Sequence, residues 1–216
     1  TQRPDLGVPS EQGIDDVIDL IKDASFPVLL VGMRSSSSDE TNAIRKLVRK
    51  TNLPVVETFQ GAGVISRELE SHFFGRVGLF RNQVGDELLR KADLVVAIGY
   101  DPIEYEASNW NKELDTKVIN IDEVPAEITN YMQPTKELIG NIAGTIEMIS
   151  DKVDEPFINQ QHLDELERKK AIDIANAMLK DGYKEGDAIP IATKQAEEWY
   201  KDASKEELEE LKHNLI

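Results

Sequence analysis

Glycines and an aspartate stand at the ends of apolar runs in this sequence, where they could contact a nucleotide. Gly32 follows one aliphatic run, Gly61 and Gly63 lie in the loop after another, and Gly99 ends a third. Glycine lets the backbone turn sharply, and it lets a ligand approach the backbone closely. Asp122 ends a further run, and an acid at a strand end can accept a hydrogen bond from a ribose hydroxyl. These residues are the candidate nucleotide contacts.

The same residues have plainer explanations. A dinucleotide fingerprint needs three glycines in the pattern G-x-G-x-x-G, whereas Gly32 is followed by Met33 and Arg34. The serines at 35–38 could hold an anion at a helix start, or they could simply cap that helix. The loop with Gly61 and Gly63 could only turn the chain, and a strand-end Asp122 could only cap a turn. Local spacing leaves both interpretations open.

No catalytic or metal-binding constellation is visible in the sequence. The three histidines, His72, His162 and His213, lie far apart and have none of the ligand spacings of a zinc site. His72 precedes two phenylalanines, which favours a packed histidine over a general base. There is no G-x-S-x-G motif for a serine nucleophile. We therefore predict no catalytic residue and no metal ligand in this chain.

Composition excludes several classes of protein. The formal net charge is −16 and the sequence pI is about 4.6, which argues against nucleic-acid binding and against attachment to a membrane through basic residues. No apolar run approaches the roughly 18 residues that span a bilayer, and the first residues lack the apolar core of a signal peptide. There are no cysteines, which fits a reducing compartment. A cytoplasmic protein is predicted.

Strands and helices are predicted to alternate over the first 150 residues. The predicted strands are 26–32, 54–58, 93–99 and 117–122, with a short edge strand at 137–140. The first predicted helix begins after Ser10, and the others cover 39–51, 83–91 and 141–153. Residues 64–81 show no regular pattern. This alternation predicts an α/β fold, a parallel sheet with helices on both faces. Its strand-end loops would meet at one edge, where ligands bind.

The pattern changes after residue 154, where no further strand is predicted. Helices are predicted at 166–179, 189–199 and 204–215. We therefore expect one domain at 1–160 and a small helical appendage at 161–216.

Five segments carry a resemblance to a known family: 26–36 (FPVLLVGMRSS), 56–66 (VETFQGAGVIS), 73–83 (FFGRVGLFRNQ), 92–105 (ADLVVAIGYDPIEY) and 118–122 (VINID). In order and spacing they resemble the Rossmann-like central domain of catabolic acetolactate synthases, which are thiamine-diphosphate enzymes of the acetoin pathway. The resemblance covers roughly residues 1–167. The tail is instead similar to small uncharacterised bacterial proteins of helical type.

The resemblance implies that a whole enzyme of this kind joins two pyruvates to give 2-acetolactate and carbon dioxide. Family members use a glutamate of an N-terminal domain, and they hold thiamine diphosphate and Mg²⁺ through a G-D-G…N motif of a C-terminal domain. This chain has no G-D-G. The expectation is a catalytically incomplete central domain that binds no cofactor itself. Its partners would be the remaining domains of the synthase, which would form a homo-oligomer at full length.

The resemblance also bears on the nucleotide contacts, because biosynthetic relatives bind FAD along the same edge. Their loop G-x-R-F-D-D-R is here Gly99-Tyr100-Asp101-Pro102-Ile103-Glu104-Tyr105, without the arginine. The resemblance therefore implies a vestigial nucleotide site, which packs against neighbouring domains and the active-site entrance. It is made of Gly32, Met33, Arg34, Gly61, Gly63, Gly99, Tyr100 and Asp122. Phe80 and Arg81 match a loop near the substrate channel of relatives, so the resemblance implies that they shape the entrance of that channel.

The sequence is also compatible with two other functions. The chain could be a stand-alone module that binds FAD or ADP along the sheet edge. It could also bind a protein partner through the helical tail, where Ile189, Ala192, Ala196 and Trp199 form a stripe.

Overall fold

The computed structural model describes residues 6–79, 84–166, 169 and 172. The chain divides into two compact units, Thr1–Asn159 and Gln160–Ile216. In the second unit, residues 160–166 are helical. The remaining predicted helices of the appendage lie outside the continuous described range, and the predicted domain boundary at 160 stays a prediction.

The first unit is built on a six-stranded sheet in which every paired strand is parallel. The strands, in chain order, are β1 Pro27–Val31, β2 Val55–Thr58, β3 Phe73–Val77, β4 Leu94–Ile98, β5 Lys117–Asp122 and β6 Lys136–Ile139. Their spatial order is β3-β2-β1-β4-β5-β6. All residues of β1 and β4 are buried, as expected for central strands covered on both faces. The predicted α/β fold is confirmed.

The described residues of this unit include four α-helices: α1 Glu11–Asp23, α2 Ser38–Thr51, α3 Val84–Lys91 and α4 Ile142–Lys152. Ser10 caps α1, because its hydroxyl accepts a hydrogen bond from the Gly13 amide at 3.2 Å. Ion pairs join α4 to its neighbours: Lys152 lies 2.6 Å from Asp15 of α1, and Asp151 lies 2.7 Å from Lys46 of α2. The helix α3 packs on β2 and β3.

The prediction that residues 64–81 are irregular was wrong, because they contain β3 and a short 3₁₀ helix, Arg67–His72. Two features explain why the sequence pattern does not reveal this strand. Gly75 has a positive φ of 103°, and the pairing with β2 shifts register between Val55 and Glu57. As an edge strand with a partly exposed face, β3 lacks the continuous apolar run that marks β1 and β4.

Candidate functional site

The candidate site lies at the carboxyl edge of the sheet, at the point between β1 and β4 where the strand order reverses. The neighbouring strands β1 and β4 continue towards opposite sides, to β2 and β5 respectively. Ligands of open parallel sheets bind in the crevice at this switch point. The structure brings the loops with Gly32 and Gly99 together here, next to Asp122 at the end of β5. The strand-end loops thus meet at one edge of the sheet, as the alternation of strands and helices predicts.

Arg34 reaches across this crevice from the loop after β1. Its Nε and Nη2 donate hydrogen bonds to the two carboxylate oxygens of Asp122 at 2.8 and 2.7 Å. Its Nη1 donates to Asp101 at 2.9 Å, and Nη2 also donates to the carbonyl of Tyr100 at 3.0 Å. The guanidinium thus joins the loops after β1 and β4 to the end of β5. The planar fork of arginine suits such a bidentate contact.

These contacts fix the charges of the crevice. The Asp122 side chain is only 1 % exposed, so Arg34 is its counter-ion in a place that water hardly reaches. The carboxylates of Asp122 and Asp101 raise the pKa of Arg34 further above its ordinary value, although burial opposes this. The backbone N–H of Ile103, and then Arg34, lower the pKa of Asp101. The Arg34–Asp101 pair therefore stays ionised at neutral pH.

The glycines of the crevice are explained by contact between loops. A Cβ on Gly32 would lie 2.5 Å from the carbonyl oxygen of Gly99, and one on Gly61 would lie 2.5 Å from the carbonyl oxygen of Val31. Gly99 has a φ of +56°, and its Cβ would lie 2.7 Å from the amide of Ser35. Real Cβ atoms do not come this close to a backbone, so the loops pack only because these positions are glycine.

Gly63 differs from the other candidate glycines. It has a φ of +95°, and a Cβ there would meet nothing within 4 Å. Its amide donates a hydrogen bond to Glu57 at 3.1 Å, and the amide of Ile65 donates to the same carboxylate at 2.8 Å. Glu57 is buried at the end of β2 and so fixes the shape of the following loop. Its position in an otherwise uncharged strand was the signal that sequence reasoning overlooked.

Sequence reasoning also missed Glu104, which fastens three loops together. One carboxylate oxygen accepts hydrogen bonds from the amides of Met33 at 3.0 Å and Asp101 at 3.3 Å. The other accepts one from the hydroxyl of Thr58 at 2.5 Å. A Cβ on Gly78 would lie 2.8 Å from the Glu104 carbonyl oxygen, so the segment after β3 is close as well. An acid in a polar loop gives no local sign of such a role.

Tyr100 belongs to the core beneath the crevice. Its hydroxyl donates a hydrogen bond to the carbonyl of Tyr105, and the Tyr105 hydroxyl donates to Asp86 of α3. Burial raises the pKa of both hydroxyls. The ring of Tyr100 meets Trp110 edge-on, with 6.4 Å between the centroids. These contacts anchor the loop after β4.

The remaining candidates do not add a reactive group to this edge. Among the described residues, no group of three or more His, Cys, Asp or Glu side chains could hold a metal ion. His72 is buried, and its ring nitrogens lie 3.1 Å from Ser71 Oγ and 3.3 Å from Asn52 Oδ1. Phe80 and Arg81 lie outside the described residues. Within the described part of the chain, no helix is long and apolar enough to cross a membrane.

Comparison with known proteins gives a family match over most of the first unit. Residues 14–149 match the family model described as "Thiamine pyrophosphate enzyme, central domain". The chain is 49 % identical over 146 residues to the acetolactate synthase of Bacillus subtilis (strain 168), a match that covers 68 % of this chain and 26 % of that protein. It is 36 % identical over 159 residues to the catabolic acetolactate synthase of Raoultella terrigena, covering 73 % of this chain and 28 % of that protein.

A third match is shorter, and its name does not describe a synthase. The chain is 56 % identical over 50 residues to the "Uncharacterized protein YdaT" of Bacillus subtilis (strain 168), which covers 23 % of this chain and 33 % of that protein. The chain thus spans about a quarter of the length of the two synthases, and about a third of this other relative.

Proposed function

The chain belongs to the family of thiamine pyrophosphate enzyme central domains, and from this premise we propose that it is the structural central domain of an acetolactate synthase. The complete enzyme in this proposal condenses two pyruvates to 2-acetolactate and carbon dioxide. It is cytoplasmic and homo-oligomeric, and its other domains are the partners of this one. The names of the two long relatives support the acetolactate assignment.

The donor groups of this chain do not fit thiamine diphosphate and Mg²⁺. Mg²⁺ in phosphate sites is held by one or two carboxylates together with the phosphate oxygens. The buried carboxylates at the sheet edge are already bound to protein groups, Asp122 to Arg34 and Glu57 to the loop after β2. The sequence has no G-D-G. In this proposal both groups are held by other domains of the synthase, and this chain alone is inactive.

The position of Arg34 is the main observation in support of a vestigial nucleotide edge. Asp122, the residue suited to a ribose hydroxyl, is only 1 % exposed and already has Arg34 as a bidentate partner. A nucleotide whose ribose reached Asp122 would have to displace the guanidinium and leave this carboxylate without its counter-ion. Breaking a buried ion pair in this way costs about 3–5 kcal/mol. This cost supports a structural edge over a stand-alone nucleotide-binding module.

The first experiment tests catalysis. The purified chain is incubated with thiamine diphosphate, Mg²⁺ and pyruvate, and acetolactate is measured. We expect none from the chain alone. We expect product when residues 14–149 replace the matching segment of the Bacillus subtilis synthase, a hybrid called the graft below. Turnover by the chain alone, or an inactive but folded graft, would contradict the proposal.

The second experiment tests the alternative function. Titration calorimetry of the chain with FAD, ADP and NAD should detect no binding at micromolar strength, which corresponds to about −8 kcal/mol. Binding of any of the three at that strength would favour the stand-alone module. Partner binding through the tail, the other alternative, concerns residues 189–199, which lie outside the described residues.

A further inference from the structure

A short segment, which we call the strap, leads from α4 to the end of the first unit. It comprises residues 153–159, which form neither helix nor strand, and the first unit ends at Asn159. Val153 and Ile158 are buried, at 5 % and 6 % exposure, whereas residues 154–156 between them are exposed. The strap is therefore held at two points with an open middle. Segments with few buried contacts are those that open locally while the core stays folded.

Ile158 fastens the strap to the C-terminal end of α2. Its backbone N–H donates a hydrogen bond to the carbonyl of Thr51 at 3.1 Å, and its carbonyl accepts one from Nδ2 of Asn52 at 3.1 Å. The last carbonyls of a helix have no partner within the helix, so the first bond satisfies one of them. The second bond depends on a single side chain, that of Asn52.

Asn52 follows α2 in the left-handed conformation, with a φ of 57°. Glycine and asparagine are the residues that favour this position at the end of a helix. Asparagine differs from glycine there because its amide offers both an acceptor and donors. Both ends of this amide are used: Nδ2 bonds Ile158, and Oδ1 lies 3.3 Å from Nε2 of His72. The side chain thus joins two distant parts of the chain.

His72 continues this line of hydrogen bonds. The carbonyl of Ile158 can only accept, so Nδ2 of Asn52 faces the strap and Oδ1 faces the histidine. In the neutral ring Nε2 therefore carries the proton, and Nδ1 accepts from the hydroxyl of Ser71, 3.1 Å away. His72 is only 8 % exposed, and it directly precedes the edge strand β3. The line of contacts accordingly runs from the strap to the start of β3.

We propose that Asn52 is a latch, whose side chain couples the strap to the start of β3 so that both segments open together as one local unit. The latch lies at the amino edge of the sheet, since α2 ends just before β2 begins and His72 stands just before β3. The strap is where the chain leaves the first unit, so displacing it would loosen the edge strand as well. This inference does not depend on the proposed function.

Amide hydrogen exchange of the whole chain tests the coupling. The probes are the amides of Ile158 in the strap and of Phe73, which donates to the Glu70 carbonyl. The reference is the amide of Gly99 at the end of β4, which donates to the Ile121 carbonyl. After correction for intrinsic rates, both probes should exchange at least about tenfold faster than the reference, because they open locally. Exchange of the probes at the rate of the reference would overturn the proposal, since opening would then be global.

Two substitutions of Asn52 separate the side-chain contacts from the backbone conformation. Asn52→Gly keeps a residue suited to the left-handed conformation and removes both contacts, so both probes should accelerate roughly tenfold relative to the reference. Asn52→Asp keeps an acceptor for His72 and has no donor for Ile158, so the Ile158 probe alone should accelerate. Acceleration of Ile158 alone in Asn52→Gly, or of neither probe, would overturn the coupling.

Asn109→Gly is the matched control for the loss of an asparagine amide. Nδ2 of Asn109 also donates to a backbone carbonyl, that of Glu106 at 2.9 Å, in the loop after β4. This variant should leave the rate of each probe unchanged relative to the reference. A change as large as that in Asn52→Gly would show that general destabilisation opens the strap, and would overturn the latch.

NMR titration of His72 gives a second readout, which a purely structural effect on the strap would not move. Asn52→Asp places a carboxylate beside the ring, and an opposite charge at this range favours the charged imidazole. The pKa of His72 should therefore be higher in Asn52→Asp than in Asn52→Gly. Equal pKa values in the two variants would contradict the contact between Asn52 and His72, and with it the latch.

Discussion

Arg34 is the side chain that links the loops on both sides of the crevice. Its side chain is 25 % exposed, and its partner Asp122 is almost fully buried. The residues are 88 positions apart in sequence, so their pairing depends on the order of the strands. Arg34 thus acts as an internal cation that stabilises Asp122 at the switch point.

Replacing Arg34 should destabilise the folded chain, because Asp122 depends on it as a counter-ion. Arg34→Met should lower the free energy of unfolding by about 3 kcal/mol, because it leaves Asp122 buried without a counter-ion. Arg49→Met is the matched control, since its pair with Glu68 is open to solvent, with side chains 51 % and 80 % exposed. Urea unfolding at pH 7 measures both variants. A loss for Arg34→Met no larger than for Arg49→Met would show that Asp122 does not need this partner.

His72 should make stability depend on pH near its ordinary pKa of about 6.5. Burial lowers the pKa of His72 in the folded chain, so the unfolded chain binds more protons as the pH falls. The stabilising contribution of neutral His72 is thus complete above about pH 6.5 and is lost as the pH falls towards the lowered pKa. Urea unfolding at pH 7.5 and 5.5 should show a larger decrease for the parent than for His72→Gln. Parallel decreases would mean that other groups cause the pH effect.

At the scale of the elements, the edge is shaped by loops that touch through glycine. The sequence was enough to predict β1 and β4, because continuous apolar runs mark buried parallel strands. The sequence singled out Gly32 and Gly99 after these strands, and in the structure the two glycines make room for each other's loop. Glu104 was missed because its contacts with Met33 and Thr58 come from parts of the chain distant in sequence. Local spacing cannot encode such contacts.

The contact between the loops can be tested at Gly32. Gly32→Ala should lower the free energy of unfolding by about 2 kcal/mol or more, because the new Cβ would lie 2.5 Å from the backbone of Gly99 and Tyr100. Gly7→Ala is the control, since a Cβ there meets nothing within 4 Å. Thermal unfolding of both variants gives the comparison. Equal stability of the two would mean that the loops separate at little cost.

At the scale of the whole molecule, the excess of acidic groups sets the electrostatics. The chain has 41 acidic residues against 25 lysines and arginines. The ion pairs between the helices, such as Lys46–Asp151, have exposed partners and contribute little to stability. Repulsion among the acidic groups should therefore affect the stability of the fold more than these ion pairs do.

Salt should accordingly stabilise the chain. Raising NaCl from about 10 mM to about 150 mM shortens the screening length from roughly 30 to 8 Å, so it weakens repulsion across the molecule. We expect the thermal midpoint to rise at pH 7 and to rise less near pH 4.6, where the net charge approaches zero. A midpoint that falls with salt at pH 7 would indicate that the ion pairs dominate instead.

The triple attachment made by Glu104 limits how this edge can change. A substitution that moves one of the loops after β1, β2 or β4 also disturbs the other two, because a single carboxylate holds all three. The loops are therefore expected to diversify together during evolution. An engineer who wished to install a new specificity here would have to transplant them as a set.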